Sequence, residues 1–142
     1  MPCSPQAVLE TSLYVHDLQR AIEFYERVLG LTKIDEFPAG RGAAMQVGSD
    51  PSLLLLFSAE VTRRGGTFPA HGTSGEGHVA FRVHPGEIPA WRERLQYHGV
   101  AIEKELSFPG NPPSIYFRDP DGNSLELAVP SIWHFRCATQ SA

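Results

Sequence analysis

Three side chains able to ligate a metal sit at comparable places in three short apolar runs of this 142-residue chain: Glu10 in AVLETSLYV, His78 in HVAFRV and Glu126 in NSLELAV. If the runs are strands, successive side chains alternate between faces. Leu125 and Leu127 then share a face, and Ser124, Glu126 and Ala128 share the other. In the first run Leu9, Thr11, Leu13 and Val15 turn toward a covering helix, leaving Glu10, Ser12 and Tyr14 opposite. In the second, Val79, Phe81 and Val83 turn inward, leaving His78, Ala80 and Arg82. Glu10, His78 and Glu126 therefore share the uncovered side, facing either plain water or a lined cavity. Two carboxylates and one imidazole suit a hard or borderline divalent metal ion: Mn²⁺, Fe²⁺, Co²⁺, Ni²⁺ or Zn²⁺, with no choice among them. Without a cation the two acids repel and one of them is driven to keep its proton. A polar-lined, metal-free pocket is the competing reading.

Other residues carry a chemical reading beside a bland one. His71, on the loop that holds FPAHGTSGEGH, is a candidate general acid or base or else a solvated loop histidine. Arg82 could hold an anionic substrate, or pair with Glu10 or Glu126 instead. Tyr14, Phe68, Tyr116 and Trp133 are available to stack on an aromatic ligand. Tyr116 shares its strand face with Ser114 and Arg118, and the bland reading leaves its hydroxyl at the surface. His16, His98 and His134 have weaker claims, at a helix start, a helix end and the tail.

The elements that must position these groups repeat one plan. DLQRAIEFYERVLGL places Leu18, Ile22, Tyr25, Val28 and Leu29 on one helical stripe, with Asp17 as N-cap and Gly30 just past the end. TKIDEF, GAAMQVG and SLLLLFS follow as strands, separated by the turn segments PAGR and SDP. A Gly, Ser and Thr-rich loop leads to HVAFRV, a helix in GEIPAWRERLQYHG whose charges form a solvated face, and strands in VAIEKELS, PSIYFRD and NSLELAV. The expected fold is α+β: two βαβββ modules, their mixed sheets curving into a cup with helices outside. The boundaries are a tail at 1–6, modules at 7–60 and 77–130, a linking loop at 61–76 and a tail at 131–142. The repeat lies in element order, not in residue matches. DPDGN, Asp119 to Asn123, reads as a turn that sets the register of Glu126.

Composition narrows the partners. A formal charge of −4, a pI near 5.8 and scattered arginines give no nucleic-acid footprint. The longest apolar run, Leu53 to Phe57, is too short to span a bilayer, and MPCSPQAVLE carries no signal-like pattern, so a cytoplasmic protein is expected. Cys3 and Cys137 have no metal-type spacing and are expected to be reduced.

SLYVHDLQRAIEFYERVLGL, GHVAFRV and YFRDPDGNSLELA resemble the vicinal oxygen chelate superfamily, and with their connections they span roughly residues 7–130. That superfamily includes glyoxalase I, methylmalonyl-CoA epimerase, extradiol dioxygenases, fosfomycin-resistance enzymes and bleomycin-resistance proteins. The resemblance implies metal ligands on the first and fourth strands of each module: Glu10, where many relatives have His or Gln, then His78 and Glu126. The fourth strand of the first module offers only Leu54 or Leu55, which disfavours a four-protein-ligand site and leaves positions to water or substrate. Tyr116 matches a hydrogen-bond donor of the extradiol dioxygenases, whose first histidine Glu10 replaces. The potassium and phosphonate loop signatures of the fosfomycin transferases do not stand out. A metal-dependent lyase, isomerase, hydrolase or dioxygenase acting on a small oxygen-bearing substrate is implied, in a homodimer. The alternative is a metal-free binding protein of the bleomycin-resistance type.

Overall fold

The structure, a computed structural model, describes residues 3–136. The first half runs β1 (Glu10–Tyr14), α1 (Leu18–Arg27), β2 (Thr32–Phe37), β3 (Gly42–Gln46), β4 (Leu53–Phe57) and a short helix α2 (Ala59–Thr62). The second runs β5 (His78–Arg82), α3 (Ile88–Tyr97), β6 (Ile102–Leu106), β7 (Ser114–Arg118) and β8 (Ser124–Ala128). Each half forms a four-stranded sheet of the same plan, β1-β4-β3-β2 and β5-β8-β7-β6. The α+β fold of two βαβββ modules is thus as the hydrophobic periods require. By compactness the chain divides into two units: one takes the chain up to His78 together with Arg118–Ser124, the other takes Val79–Phe117 and the chain from Leu125 onward.

In the first unit β1 runs parallel to β4, and β4, β3 and β2 are antiparallel neighbours. Helix α1 starts where Asp17, in extended conformation, accepts the Arg20 N–H at 3.0 Å, and its chain turns away at Gly30, whose φ is 70°. Ala21, Ile22, Tyr25, Val28 and Leu29 are buried, and α1 packs on β3 and β4. Ala43, Met45, Leu54 and Leu56 are buried on alternate positions of those strands, at about 1.5–3 kcal/mol for each large side chain removed from water. In β1 the burial begins only at Leu13 and Val15; Leu9, ahead of the strand, is 62% exposed.

The turn Asp119–Asn123 belongs to this first unit and does more than reverse the chain. The buried Asp119 carboxylate accepts the Tyr25 hydroxyl at 2.8 Å, the backbone N–H groups of Asp121 and Asn123, and the Asn123 amide. Asn123 in turn accepts the Gly77 N–H at 2.7 Å and donates to the Tyr14 carbonyl at 3.3 Å. Burial and the neighbouring Asp119 push the Tyr25 hydroxyl far above its ordinary pKa, so it stays a donor.

In the second unit Phe81, Val83, Ile88, Leu95, Ile115, Phe117, Leu125 and Leu127 are buried. The charges of α3 are not wholly a solvated face: Arg92 binds Glu105 of β6 through two nitrogens at 2.6 and 3.0 Å, which holds the Glu105 carboxyl below its usual range. Helix α2 forms where the sequence suggests only loop, one turn nucleated after Ser58. Cys3 is exposed, and Cys137 lies outside the described residues. No helix among the described residues is long and apolar enough to cross a membrane.

Candidate functional site

The face of the first sheet that carries Glu10, Ser12 and Tyr14 is a floor for a pocket of about 850 Å³, within the range of small-molecule sites. Strand register builds it in rows. Tyr14 stands opposite Phe57, Phe57 opposite Gly42, and Gly42 opposite Phe37; one step along, Ser12, Leu55 and Ala44 align in the same way. Gly42 is required here, because a Cβ would lie 2.3 Å from the Leu56 carbonyl oxygen and 2.8 Å from the Phe57 ring. The empty position lets Phe57 and Phe37 stack with centroids 6.0 Å apart and planes 29° apart.

His71 is drawn into this pocket from the loop after α2. Its backbone N–H donates to the Thr62 carbonyl at 3.1 Å, its ring packs edge-on to Phe57 at 4.9 Å, and its Nδ1 lies 2.6 Å from the Tyr14 hydroxyl. It is half-buried, so the solvated-loop reading does not describe it. Phe68 remains 61% exposed at the rim, where the Arg41 guanidinium sits 5.0 Å from its ring centroid and 5.8 Å from that of Phe57.

The second sheet carries a different face. Glu126 on β8 is only 7% exposed and is hydrogen-bonded by the Tyr116 hydroxyl of β7. The backbone bond from Asp119 N to Asn123 O closes the β7–β8 hairpin and places these two residues directly across from one another. Burial first, then the hydrogen bond and the charge of Glu126, push the Tyr116 hydroxyl up to about 12, so it holds its proton at neutral pH. At the start of β5 the His78 ring places Nδ1 2.9 Å from the Ser124 carbonyl oxygen. A carbonyl only accepts, so Nδ1 carries the hydrogen and the neutral ring keeps its lone pair on Nε2. Arg82 lies exposed on β5 and borders a separate groove with Trp133 and Phe135.

The conserved order of these elements is matched by a family model, Glyoxalase/Bleomycin resistance protein/Dioxygenase superfamily, over residues 7–127. The chain belongs to that superfamily. It is 32% identical over 127 residues to a protein of Serratia marcescens named glutathione transferase FosA, covering 89% of this chain and 83% of the relative. With the lactoylglutathione lyase of Pseudomonas putida it shares 28% over 156 residues, 92% of this chain and 89% of the relative. The crystal structure of lactoylglutathione lyase from Agrobacterium tumefaciens superimposes with a TM-score of 0.85 at 33% identity, covering 94% of this chain and all, 100%, of that one. The 32% identity to a protein named a glutathione transferase sets a transferase among the relatives of this chain.

Of the expected site residues, Glu10, Tyr14, Phe68 and His71 line the pocket of the first sheet, Tyr116 and Glu126 pair on the second, His78 stands at the start of β5 with its ring on the Ser124 carbonyl, and Arg82 borders the groove with Trp133 and Phe135. Among the described residues no group of three or more His, Cys, Asp or Glu side chains gathers as a metal-holding cluster. Arg41, Phe37 and Phe57 went unread as site residues, because only the cross-strand register shows that they meet.

Proposed function

We propose that the protein is a divalent-metal-dependent vicinal oxygen chelate enzyme acting on a small oxygen-bearing substrate, with Glu10, His78 and Glu126 as its protein ligands. The observation that carries this reading is Glu126. A carboxylate 7% exposed in a strand is expensive to keep unless it is hydrogen-bonded or works on a cation, and its position is the one the superfamily uses for a ligand. The donor set fits a metal: two carboxylates, and an imidazole whose Nδ1 is held by the Ser124 carbonyl so that Nε2 is the basic nitrogen. Because the fourth strand of the first module offers only Leu54 or Leu55, positions beyond these three fall to water or substrate. When bound, a divalent cation would supply Lewis-acid polarisation of the substrate oxygens.

The protein's own groups divide the remaining work. Tyr116, kept protonated, donates its one hydrogen to Glu126 and becomes a donor toward substrate oxygen when that bond is released. His71, oriented by Tyr14, is the group that takes or returns a proton. Tyr14 and Phe68 bound the substrate pocket, and Arg82 is a second anchor for an anionic group. The printed names of the relatives favour lyase or transferase chemistry over ring cleavage. We read the protein as a cytoplasmic homodimer, on its few cysteines and on the sheet edges, β1 and β2 in the first module and β5 and β6 in the second, that are open to pairing. A metal-free binding protein is the second reading, favoured by the aromatic lining of the first sheet's pocket.

Metal analysis of protein purified without chelator tests the first reading. About one divalent ion per chain, lost in Glu126→Ala and His78→Ala, is the expected result. Absence of metal at every loading, with each plausible ion, rejects it in favour of the second.

A further inference from the structure

We propose that the pocket on the first sheet takes a flat, apolar molecule bearing an anionic group, such as an arene carboxylate, with Arg41 as the anion anchor. The inference rests on reading this pocket as the substrate's place and adds the substrate's chemical class.

Arg41 is the first reason. Its backbone is fixed from both sides: its N–H donates to the Pro38 carbonyl at 3.2 Å, and its carbonyl accepts the Ser58 N–H at 3.0 Å. The turn that delivers it holds Ala39 at φ 58°, the one non-glycine left-handed residue among those described, followed by Gly40 at φ 68°. Such strain persists where the surroundings demand that geometry. The guanidinium itself lies half-buried against two phenyl rings, and among the described residues it has neither a carboxylate partner nor a hydrogen-bond acceptor. Stacking on ring faces leaves the edge of its planar fork, where a carboxylate binds through two parallel bonds, unused.

The second reason is the surrounding surface. Phe57 and Phe37 form a stacked wall and Leu55 continues the floor, a shape suited to a ring. His71 flanks the same Phe57 ring that Arg41 approaches. The Tyr14 hydroxyl and His71 Nδ1 share a hydrogen bond whose direction follows the tautomer, and in the tautomer with its hydrogen on Nε2 the ring is a second donor for a ligand oxygen. Glu10 and Asp35 also border the pocket, yet both are exposed, so water screens them, while the half-buried cation is the charge a bound ligand meets.

The test uses chelator-treated full-length protein and three probes of one shape: 2-naphthoate, its neutral amide and 2-naphthylmethylammonium, titrated by calorimetry. Naphthoate should bind about tenfold or more tighter than the amide, with the ammonium weakest. Arg41→Gln should bring naphthoate and amide to within about twofold of one another, while Arg41→Lys keeps part of the preference. The proposal is overturned if the amide or the ammonium binds as well as naphthoate, if Arg41→Gln leaves the preference intact, or if naphthoate shows no binding up to about 10 mM. Metal uptake is measured on separate samples. Charge discrimination without metal uptake sinks the enzyme reading alone; metal uptake without discrimination sinks this one alone.

Discussion

Aligned by strand order, Leu55 of β4 corresponds to Glu126 of β8, and Ala44 of β3 to Tyr116 of β7. Both pairs sit at the middle of their strands, and Leu55 and Glu126 are almost equally hidden, at 6% and 7% exposure. In the first sheet the pair is apolar and supports an aromatic pocket. In the second it is a carboxylate and a phenol joined by a hydrogen bond. Backbone topology is therefore indifferent to what the inner positions carry, and the division of labour is written in two side chains per sheet. One face is shaped to hold a molecule, the other to present charge.

Exchanging those side chains is the strongest way to break the contrast. Leu55→Glu puts a carboxylate in a row of Ala44, Phe57 and Phe37 with only the Ser12 hydroxyl across from it as a donor, and should cost about 3 kcal/mol in urea unfolding. Glu126→Leu should abolish metal uptake and cost about 1–2 kcal/mol, less than Leu55→Glu, since it relieves a buried carboxylate but gives up the hydrogen bond from Tyr116. Equal stability losses in the two variants would show that the faces are not specialised.

Gly42 and Ser114 also correspond, and here the first sheet is the less tolerant. Gly42→Ala forces a Cβ against the Leu56 carbonyl and should lower stability by about 1–3 kcal/mol and open the Phe37–Phe57 stack, seen as a changed near-ultraviolet spectrum. Ser114→Ala should be neutral or slightly stabilising, because among the described residues the buried Ser114 hydroxyl has no hydrogen-bond partner.

Tyr116 gives the second sheet a signature at alkaline pH. Its folded pKa, raised to about 12, exceeds the ordinary tyrosine value of about 10, so its contribution to stability is complete below about 10 and is lost as pH rises toward about 12. Phenolate absorbance should show a tyrosine step at about 12 ahead of the still later ionisation of Tyr25, and Tyr116→Phe should remove the step at about 12 while leaving the later one. If Glu126→Gln leaves the step at about 12 where it was, Glu126 is not what holds the proton.

Much of this was legible before the structure. Periods of two and 3.6 place every strand and both long helices, since each buries one face against the other. Glu126 stood out because a lone acid between two leucines breaks an apolar strand, and parity set Tyr116 with Ser114 and Arg118, but only the structure shows the hydrogen bond between the two. Arg41 and Phe57 gave no such signal. Arg41 follows a turn and looks solvated, and Phe57 ends an unbroken apolar run in which no alternation marks the inner face. Their meeting depends on register across β2, β3 and β4 and on Gly42 having no side chain. For His71 the sequence left two readings open, because 57 positions separate it from Tyr14 and only tertiary contact fixes its ring.

The helices supply the smallest test of the same comparison. Helix α1 begins at Asp17, whose carboxylate takes the Arg20 N–H, whereas α3 begins at Glu87, which makes no side-chain cap bond and is followed by Pro89 in the first turn. A capping side chain satisfies one of the donors that every helix start leaves over, and its loss costs about 1 kcal/mol. A proline in the first turn lacks that donor and needs no cap for it. Asp17→Ala should therefore lower unfolding free energy by about 1 kcal/mol, while Glu87→Ala should change it by less than about 0.5 kcal/mol. The difference should appear as a shift in urea midpoint with an unchanged slope, since neither substitution alters the surface exposed on unfolding. Equal shifts would mean that the start of α1 is held by its packing on β3 and β4 and not by the Asp17 carboxylate.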